Sequence, residues 1–576
     1  PEALVEVLPL TDPESACMIT ADCRIDNREE VIAELGLEGS GRVIGDGELI
    51  LRAYLQWGEH CPGKLLGDFA FAIWDPRSQR LFCARDHMGM RQLHFHHRPE
   101  GIFVFATEEQ ALLDLPLVPV AVNEARVADF LDQMEGMDFT STFFEGILRL
   151  PPAHRLSVSA DGLSLQRYWT IELPPVLQLP SDEAYAQAFR DVFSSAVHCR
   201  LRSAGPVGSM VSGGVDSNAV AAIAARQLAA EGRGPLRTIS AVGPDPDSCQ
   251  ETQCIRDSLA NPRFEATITD HSQLGGESAT LARLIEDVAN PFDASMLMIS
   301  AVYLLAHQQQ VKVVLDGATG DLMLASGNRV AQLMNQGRVR EAFVEAQTDA
   351  RRWGFVGLWR TLIGSAWLAF VPRQVRAVRQ RIAGRAGDLT AVIKPRVSRR
   401  LARRVRLARR RDTFRRYIGV YHPAAREYRL AQIGHPHTTA ARERYDRVAS
   451  VLAVEPRDPF LDVRVIRFCL SLPPSQLKSG GWPKLILRRA LEGLVTGTIL
   501  WRQGKTHLGL HFMRELLRES NAWHARWPEM AARLRPYVPR ARLRRANRRK
   551  LKQIVDSGTF IELFALGSWL VRIDRR

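Results

Sequence analysis

Cysteine is scarce in this chain of 576 residues, and no two cysteines stand three positions apart. A zinc ribbon needs paired C-x-x-C ligands, and a disulfide-stapled miniprotein needs many cysteines in a short chain. Eight scattered cysteines fit neither class and are typical of a protein in a reducing compartment. We therefore expect a cytoplasmic protein. The cysteines stand at positions 17, 23, 61, 83, 199, 249, 254 and 469.

The sequence also has no apolar run long enough to cross a membrane and no secretory signal. Its longest apolar stretch, 353–371, is interrupted by Arg360, whereas a span needs about 20 apolar residues. The first ten residues, PEALVEVLPL, lack a basic region followed by an apolar one. We expect no transmembrane segment. An amphipathic helix at 353–371 keeps peripheral contact with a membrane surface open.

Neither disorder nor a fibrous repeat fits the composition, which is 46% hydrophobic and 24% charged. The charge is uneven: the net charge is +14, and the segment 373–416 holds seventeen arginines and lysines against two aspartates. Within it, apolar residues recur at helical spacing with arginines between them. Such a helix either packs on the protein core with a solvated basic face, or docks an acidic partner or a membrane surface. We expect no nucleic-acid binding, because no aromatic–basic stacking motif accompanies the charge. The apolar positions are Val397, Leu401, Val405 and Ala408.

The order of the predicted elements indicates two domains. Strand-like runs at 69–74, 81–84, 94–97 and 103–106 fill the N-terminal part, and the proline-rich stretch 171–181 is typical of a linker. A helix is predicted at 182–200. Short apolar strands at 207–211, 237–242 and 311–315 then alternate with helices, which favours a doubly wound parallel sheet, and the chain reads as helical from about 328 onward. We predict an α/β protein with domains at 1–175 and 176–576.

The strongest chemical signal is a glycine-rich turn between a predicted strand and a predicted helix. Two adjacent glycines expose backbone N–H groups, and the helix directs its positive end toward the same place, so a phosphate group fits there. A carboxylate beside bound phosphates is suited to hold Mg²⁺. A GxxxxGK[ST] motif is absent, which excludes a Walker-type ATPase. The turn comprises Ser212, Gly213, Gly214, Val215, Asp216 and Ser217.

This hexapeptide resembles the SGGxDS pyrophosphate loop of asparagine synthetase-like ATP pyrophosphatases, and other segments resemble further motifs of that family. The segment 314–321, VLDGATGD, resembles the second phosphate loop, and 457–462 resembles R-x-PFLD. The segment 484–488 with Trp501 and Arg502 resembles K-x-x-LR…WR. Segments 19–31, 67–75 and 83–89 resemble the family's glutaminase domain. The resemblance implies an N-terminal glutaminase-like (Ntn-type) αββα sandwich and a C-terminal doubly wound α/β ATP pyrophosphatase domain with a helical extension.

The resemblance implies ATP and Mg²⁺ as cofactors. In the family, a carboxylate attacks the α-phosphate of ATP, pyrophosphate leaves, and an amine displaces AMP from the acyl-adenylate. Negative charge develops on the leaving group and must be offset. The resemblance implies that Asp216 and Asp321 bind the metal, that Lys484 contacts the reacting phosphate, and that these three residues are catalytic. The nucleotide site it implies comprises Ser212, Gly213, Gly214, Val215, Asp216, Ser217, Gly317, Gly320 and Lys484.

Three features depart from asparagine synthetases. Residue 1 is proline, whereas glutaminases of this type begin with a cysteine whose amine is the base and whose thiolate is the nucleophile. We therefore expect an inactive glutaminase unless a cysteine precedes the residues given. Ala318 and Leu322 replace two acidic residues of the pattern G-E-G-x-D-E, of which Asp321 is kept. The arginine-dense segment is the third departure.

These features resemble the lasso peptide macrolactam synthetases, or lasso cyclases. The resemblance implies activation of an Asp or Glu side chain in a ribosomal precursor peptide, followed by attack of the peptide's own α-amine and ring closure through an isopeptide bond. Holding both groups in one chain would supply much of the rate. The implied partners are the core peptide, a leader peptidase and a leader-binding protein.

Two other functions stay open at this point. One is a glutamine-hydrolysing asparagine synthetase with a trimmed N-terminus. The other is a non-catalytic basic binding protein, against which the intact phosphate loop, Asp321 and Lys484 argue. The base for the amine is unassigned; Tyr445 and Glu455 are candidates, although Glu455 could instead pair with Arg457. The histidines 94, 96 and 97 occupy aromatic positions of the glutaminase fold, so packing is favoured over a metal site.

Overall fold

Two β-sheets occupy the first 170 residues, and an all-parallel sheet lies in the rest of the chain. The computed structural model describes residues 2–39, 41–243, 249–270, 277, 280–281, 283–284, 288–353, 357–372, 375, 396–418, 425–504, 522–548 and 559–575. The described strands are β1 Leu10–Thr11, β2 Met18–Ile25, β3 Gly67–Asp75, β4 Arg80–Arg85, β5 His94–Arg98, β6 Ile102–Ala106, β7 Ile147–Arg149, β8 His154–Ser159, β9 Gly162–Arg167, β10 Val207–Met210, β11 Leu236–Ala241, β12 Phe264–Thr269, β13 Val313–Leu315, β14 Glu455–Arg457, β15 Lys478–Ser479 and β16 Trp482–Pro483.

Helices alternate with the parallel strands and then dominate the C-terminal half. The α-helices among the described residues are α1 Arg28–Glu34, α2 Asp46–Trp57, α3 Glu109–Leu113, α4 Glu124–Leu131, α5 Asp182–Arg200, α6 Val215–Ala230, α7 Gln250–Leu259, α8 Leu297–Gln308, α9 Gly320–Met323, α10 Arg329–Asn335, α11 Val339–Trp353, α12 Leu358–Phe370, α13 Arg399–Arg404, α14 Leu407–Ile418, α15 Ala425–Ile433, α16 Pro436–Ser450, α17 Val463–Ser471, α18 Pro474–Leu477, α19 Leu485–Ala490, α20 Gly497–Leu500, α21 Ala522–Leu534, α22 Arg540–Arg548 and α23 Thr559–Asp574.

The N-terminal unit is a layered sandwich, as predicted. Its six-stranded antiparallel sheet has the order β1-β2-β3-β4-β8-β9, and a three-stranded sheet has the order β6-β5-β7. Alternate residues of β3 face opposite sides of the sheet. Phe69 and Phe71 pack in one core with Leu49 of α2, whereas Ala70 and Ala72 pack in a second core that contains residues of β5. The alternation therefore places a helical layer on one face and the second sheet on the other.

The C-terminal sheet is parallel throughout, with the order β12-β11-β10-β13-β14. The predicted strands at 207–211, 237–242 and 311–315 are confirmed as β10, β11 and β13, and the predicted helix at 182–200 is confirmed as α5. Between β9 and α5 the chain has no helix or strand. Because β11 and β13 flank β10 on opposite sides, the strand order reverses there. Ligands bind outside the carboxyl ends of strands at such a point.

The expectation of a purely helical chain after 328 is wrong at three short strands. β14 extends the parallel sheet beside β13, and β15 and β16 form a two-residue hairpin. A strand of three residues such as β14, which contains Pro456, is too short to show a hydrophobic period. Its place in the sheet is decided by pairing with β13 rather than by local sequence.

The arginine-rich segment packs on the N-terminal unit where it is described. Leu401 and Leu407 are buried. Arg404, Arg410 and Arg411 of the same helices form ion pairs with acidic residues of α4 and of the turn that follows it. The packed-helix interpretation therefore holds for 396–415, while 376–395 lies outside the described residues. The acidic partners are Glu124, Asp129 and Asp132.

The predicted apolar helix at 353–371 corresponds to α12 and the end of α11. In the part of the chain that the structure describes, no helix combines the length and the apolar character that crossing a bilayer requires.

Buried ion pairs join the two units. Glu443 of α16 lies between two arginines of the N-terminal unit, at 2.8 Å from Arg85 and 2.6 Å from Arg149. The side chains of Arg85 and Glu443 are almost completely excluded from solvent. Burial alone would raise the pKa of Glu443, but Arg149, Arg85 and Arg447 more than offset it and hold the pKa well below its ordinary value. Removing one partner of such a buried ion pair leaves the charge of the other buried without a counter-charge.

Candidate active site

The first glycine loop lies between β10 and α6 and is closed by its own serines. The Ser217 hydroxyl accepts a hydrogen bond from the Ser212 backbone N–H at 3.1 Å and donates to the Gly214 carbonyl at 3.2 Å. Gly213 has a positive φ of 67°. A Cβ there would lie 3.1 Å from the Glu251 carbonyl oxygen, so both conformation and space require glycine. The N-terminus of α6, the positive end of the helix dipole, therefore faces the carboxyl edge of the sheet.

The second glycine loop follows β13 and touches the first. A Cβ on Gly317 would lie 2.9 Å from the Asp216 carbonyl group, and a Cβ on Gly320 would lie 2.6 Å from the Asp216 carboxyl carbon. Both glycines are therefore required by the close approach of the two loops. This contact places Asp216, at the start of α6, beside the backbone that carries Asp321.

Buried carboxylates behind the second loop hold it in place. Thr319 donates to Asp458 from its hydroxyl at 2.7 Å, and the Ala318 N–H donates to Asp316 at 3.0 Å. Arg442 of α16 donates to both oxygens of Asp316, at 2.8 and 3.0 Å. Burial and the neighbouring Asp316 raise the pKa of Asp458 to about 6. Sequence reasoning missed this support, because Arg442 stands over 120 residues from the loop and belongs to no recognised motif.

Lys484 joins the two predicted metal-binding aspartates. Its ammonium group forms an ion pair with Asp216 and another with Asp321, the latter at 2.5 Å. Burial would lower the pKa of Lys484, but the two carboxylates more than offset it, and the pKa is raised. Lys484 itself has left-handed backbone angles, φ 55° and ψ 38°. Such a conformation is costly for a residue with a side chain and persists only where its surroundings impose it.

Those surroundings are the β15–β16 hairpin and helix α11. The N–H groups of Gly480 and Gly481, at the tip of the hairpin, donate to the two carboxylate oxygens of Glu345 at 3.0 and 3.2 Å. Lys478 pairs with Asp349 at 2.7 Å. Sequence reasoning missed both acids, since helix α11 carries no motif. The hairpin is thus tied to α11 immediately before the chain reaches Lys484.

The segment after Lys484 completes the wall of the site. The Arg488 guanidinium lies over the rings of Trp482 and Trp501, at 4.9 and 5.9 Å from their centroids. Burial lowers the pKa of Arg488 to about 10. Arg502 donates to the Gly213 carbonyl at 3.1 Å and pairs with Glu251. The K-x-x-LR…WR segment therefore contacts the first glycine loop directly.

The donor set fits Mg²⁺ and a triphosphate. Asp216 and Asp321 supply hard carboxylate oxygens on either side of the Lys484 ammonium group. Within the described ranges, no cluster of three or more His, Cys, Asp or Glu residues could hold a metal ion. A magnesium ion here would therefore take its remaining ligands from phosphate oxygens and water, which is usual for this ion.

The remaining sequence candidates have structural partners. The Nδ1 atoms of His94 and His96 lie at hydrogen-bond distance from the carbonyls of Thr107 and Gly146, as expected for packed histidines. Glu455 pairs with Arg457 through both carboxylate oxygens. The hypothesis that Glu455 pairs with Arg457 is thus confirmed. The guanidinium of Arg442 lies over the ring of Tyr445, 4.7 Å from the centre of that ring.

Exchanging Gly213 for alanine should destabilise the chain by about 1–3 kcal/mol, because alanine would be strained at a positive φ. The matched control is Gly214→Ala. Gly214 has a negative φ, and its nearest neighbour would be the Ser212 hydroxyl at 3.6 Å. Urea unfolding of both variants measures the difference. Equal stabilities of the two variants would contradict the strain attributed to Gly213.

Comparisons with known proteins agree with both units. Residues 188–568 match the family model described as asparagine synthase, and residues 6–169 match the glutamine amidotransferase domain. Asparagine synthetase [glutamine-hydrolyzing] 3 of Bacillus subtilis is 35% identical over 215 residues, which cover 37% of this chain and 34% of that protein. Amidase chry2 of Gibberella zeae is 25% identical over 536 residues, which cover 87% of this chain and 78% of that protein. Asparagine synthetase [glutamine-hydrolyzing] 1 of Bacillus subtilis is 23% identical over 527 residues, which cover 89% of this chain and 79% of that protein.

Proposed function

The chain belongs to the asparagine synthase family, whose members are ligases that use ATP to form carbon–nitrogen bonds, and on this premise we propose that it is a lasso peptide cyclase. It adenylates an Asp or Glu side chain of a ribosomal precursor peptide and releases pyrophosphate. The peptide's own α-amine then displaces AMP and closes a macrolactam ring. A leader peptidase and a leader-binding protein prepare the peptide.

The observation that carries the adenylation step is the placement of Lys484 between Asp216 and Asp321, where two glycine loops meet. Lys484 offsets the negative charge that develops when pyrophosphate departs. The N–H groups of the first loop and of α6 bind phosphate oxygens. Asp216 and Asp321 hold Mg²⁺, which neutralises phosphate charge when it is bound. Arg488 adds a second buried cation to this wall of the site.

The intramolecular step is supported by the rim of the second loop. Ala318 is exposed there and Leu322 is half-buried, and neither carries a charge. Free aspartate would bring a carboxylate and an ammonium group that this rim leaves uncompensated. An internal Asp or Glu of a peptide has its α-carboxyl and α-amino groups in amide bonds, so it brings only the side-chain carboxylate that reacts. The attacking amine is delivered by the same peptide molecule, so preorganisation replaces a second binding site.

A second candidate is glutamine-dependent asparagine synthesis, favoured by the match of residues 6–169 to a glutamine amidotransferase domain. Mass spectrometry separates the two. The leader-free precursor, incubated with the full chain, ATP and Mg²⁺, is expected to lose the mass of one water while AMP accumulates. Asp216→Ala is expected to abolish both. Formation of asparagine from aspartate with ammonia or glutamine, and an unchanged peptide, would overturn the cyclase proposal.

Glu345→Ala should lower kcat for adenylation by up to about 10²-fold, since a displacement of 1 Å in a positioned group can cost that much. The substitution removes the Glu345 carboxylate, which holds the β15–β16 hairpin that positions Lys484. The KM for ATP is expected to change less. Glu341→Ala is the control, because Glu341 is exposed on the same helix and pairs with Arg338. A kcat that falls equally in both variants would refute the positioning role of Glu345.

A further inference from the structure

Helix α12 uses one face for packing and presents a second, apolar face to solvent. Leu358 and Leu362 pack on Val330 and Ala342, which belong to α10 and α11. The second face comprises four large side chains that recur at intervals of four, four and three residues, so each neighbours the next along the helix. They form a stripe roughly 16 Å long. The stripe consists of Trp359, Ile363, Trp367 and Phe370, all of them exposed.

The stripe stands out from the protein instead of lining a groove. Trp359 is 72% exposed, Ile363 69% and Phe370 64%. Side chains this exposed have no wall of neighbouring residues around them, whereas sites for small ligands are concave. A contiguous exposed apolar surface marks an interaction site. A projecting apolar ridge suits a lipid layer, which takes up single side chains between its molecules, and tryptophan is enriched where a membrane meets water.

Cations accompany the stripe, and α12 carries no acidic residue. Arg360, the only charged residue of α12, is exposed and lies one helical turn from Ile363. Arg340 and Arg351 are exposed on the adjoining helix α11. Within the part of the chain that the structure describes, none of these three guanidinium groups forms an ion pair. The sequence that follows, 373–396, adds seven arginines and lysines against one aspartate. An apolar helix face with clustered basic residues is typical of proteins that bind anionic lipids.

We propose that α12 docks this protein on the surface of an anionic membrane. The stripe inserts at the boundary between headgroups and acyl chains, and Arg360 lies at the lipid phosphates. The proposal goes beyond the proposed function, because it rests on α10–α12 and their charges and not on the identity of the substrate. Glu345 of α11 also holds the hairpin before Lys484, so α11 joins the docking surface to the adenylation site.

Titration of the full chain with lipid vesicles, without ATP or precursor, tests the docking surface. Vesicles of phosphatidylcholine and phosphatidylglycerol in equal amounts should bind it at least about 10-fold more tightly than phosphatidylcholine alone, because each arginine near the surface adds to the attraction. Trp359→Ala should weaken binding to the anionic vesicles at least about 10-fold, since one large apolar side chain no longer leaves water. Trp74→Ala, which removes an exposed tryptophan of β3, is the matched control and should bind as the parent chain does. Phe370→Ala is a second stripe variant should Trp359→Ala fail to fold.

The role of charge is tested with the same anionic vesicles. Arg360→Gln should weaken binding about 5-fold, the contribution of one arginine near an anionic surface. Arg226→Gln, at an exposed position of α6, is the control and should have no effect.

Several results would overturn the docking surface: no binding to anionic vesicles, equal binding to both kinds of vesicle, or equal losses in Trp359→Ala and Trp74→Ala. A dimer that forms without vesicles and that Trp359→Ala dissociates would also overturn it, because the stripe would then be a contact between copies of the chain. Vesicle binding without cyclisation of the precursor would count against the proposed function alone. Cyclisation without vesicle binding would overturn the docking surface alone.

Discussion

Replacing Lys484 with methionine lowers the rate of pyrophosphate release by about 10²–10³-fold, the loss typical of one group that stabilises developing charge. Methionine keeps much of the length of the side chain but leaves Asp216 and Asp321 without the ammonium group between them. The negative charge that develops on the leaving pyrophosphate is then no longer offset by Lys484. Pyrophosphate release in the presence of precursor, ATP and Mg²⁺ measures the effect.

Lys312→Met is the matched control for this substitution. Lys312 is exposed immediately before β13, so its removal changes the net charge equally without touching the site. We expect its rate to stay within twofold of the parent chain. Circular dichroism and thermal unfolding establish that both variants are folded. A Lys484→Met protein that is folded and retains the parent rate would contradict the role assigned to Lys484.

Replacing Glu443 with glutamine destabilises the chain by about 3–5 kcal/mol, the loss typical of breaking a buried ion pair by removing one partner. Arg85 and Arg149 would remain buried without their carboxylate. Because both arginines belong to the N-terminal unit, the loss also weakens the contact between the units. Urea unfolding at neutral pH measures the loss in the free energy of unfolding. Glu29→Gln, at an exposed position of α1, should stay within about 0.5 kcal/mol of the parent.

The Glu443 carboxylate also makes the stability of the folded chain depend on pH, in a direction that follows from its lowered pKa. The pKa of Glu443 in the folded chain lies below its ordinary value of 4.5, so the unfolded chain binds this proton more readily. The stabilisation is therefore complete above the ordinary pKa and is lost as the pH falls through the acid range. Glu443→Gln should remove this part of the acid sensitivity. A variant as acid-sensitive and as stable as the parent would contradict the account of this ion pair.

Local sequence was sufficient for the two glycine loops, because each lies between a short apolar strand and a helix. The parallel sheet then brings β10 and β13 side by side, and with them Asp216 and Asp321. That Lys484 would reach both aspartates followed from the resemblance alone, since no local pattern distinguishes this lysine from a solvated one. The catalytic and binding roles of these residues stay predictions.

What sequence reasoning missed depends on long-range contacts. Arg442 supports the second loop from another helix, and Glu345 supports the hairpin from more than 130 residues away. The arginine-rich helices were open to several interpretations, because their acidic partners on and beside α4 stand about 280 residues earlier. Ion pairs of this kind leave no periodic signal in either segment. Only the packing of the units decides between a docked and an exposed basic face.

The fate of the oxygen atoms in the activated carboxylate tests the proposed chemistry most directly. A leader-free precursor with ¹⁸O in its Asp or Glu side-chain carboxylates is incubated with the full chain, ATP and Mg²⁺. If the carboxylate attacks the α-phosphate, one labelled oxygen is transferred to AMP as the ring closes. Release of ADP, with the label in inorganic phosphate, or AMP that carries no label would contradict the adenylation of the peptide.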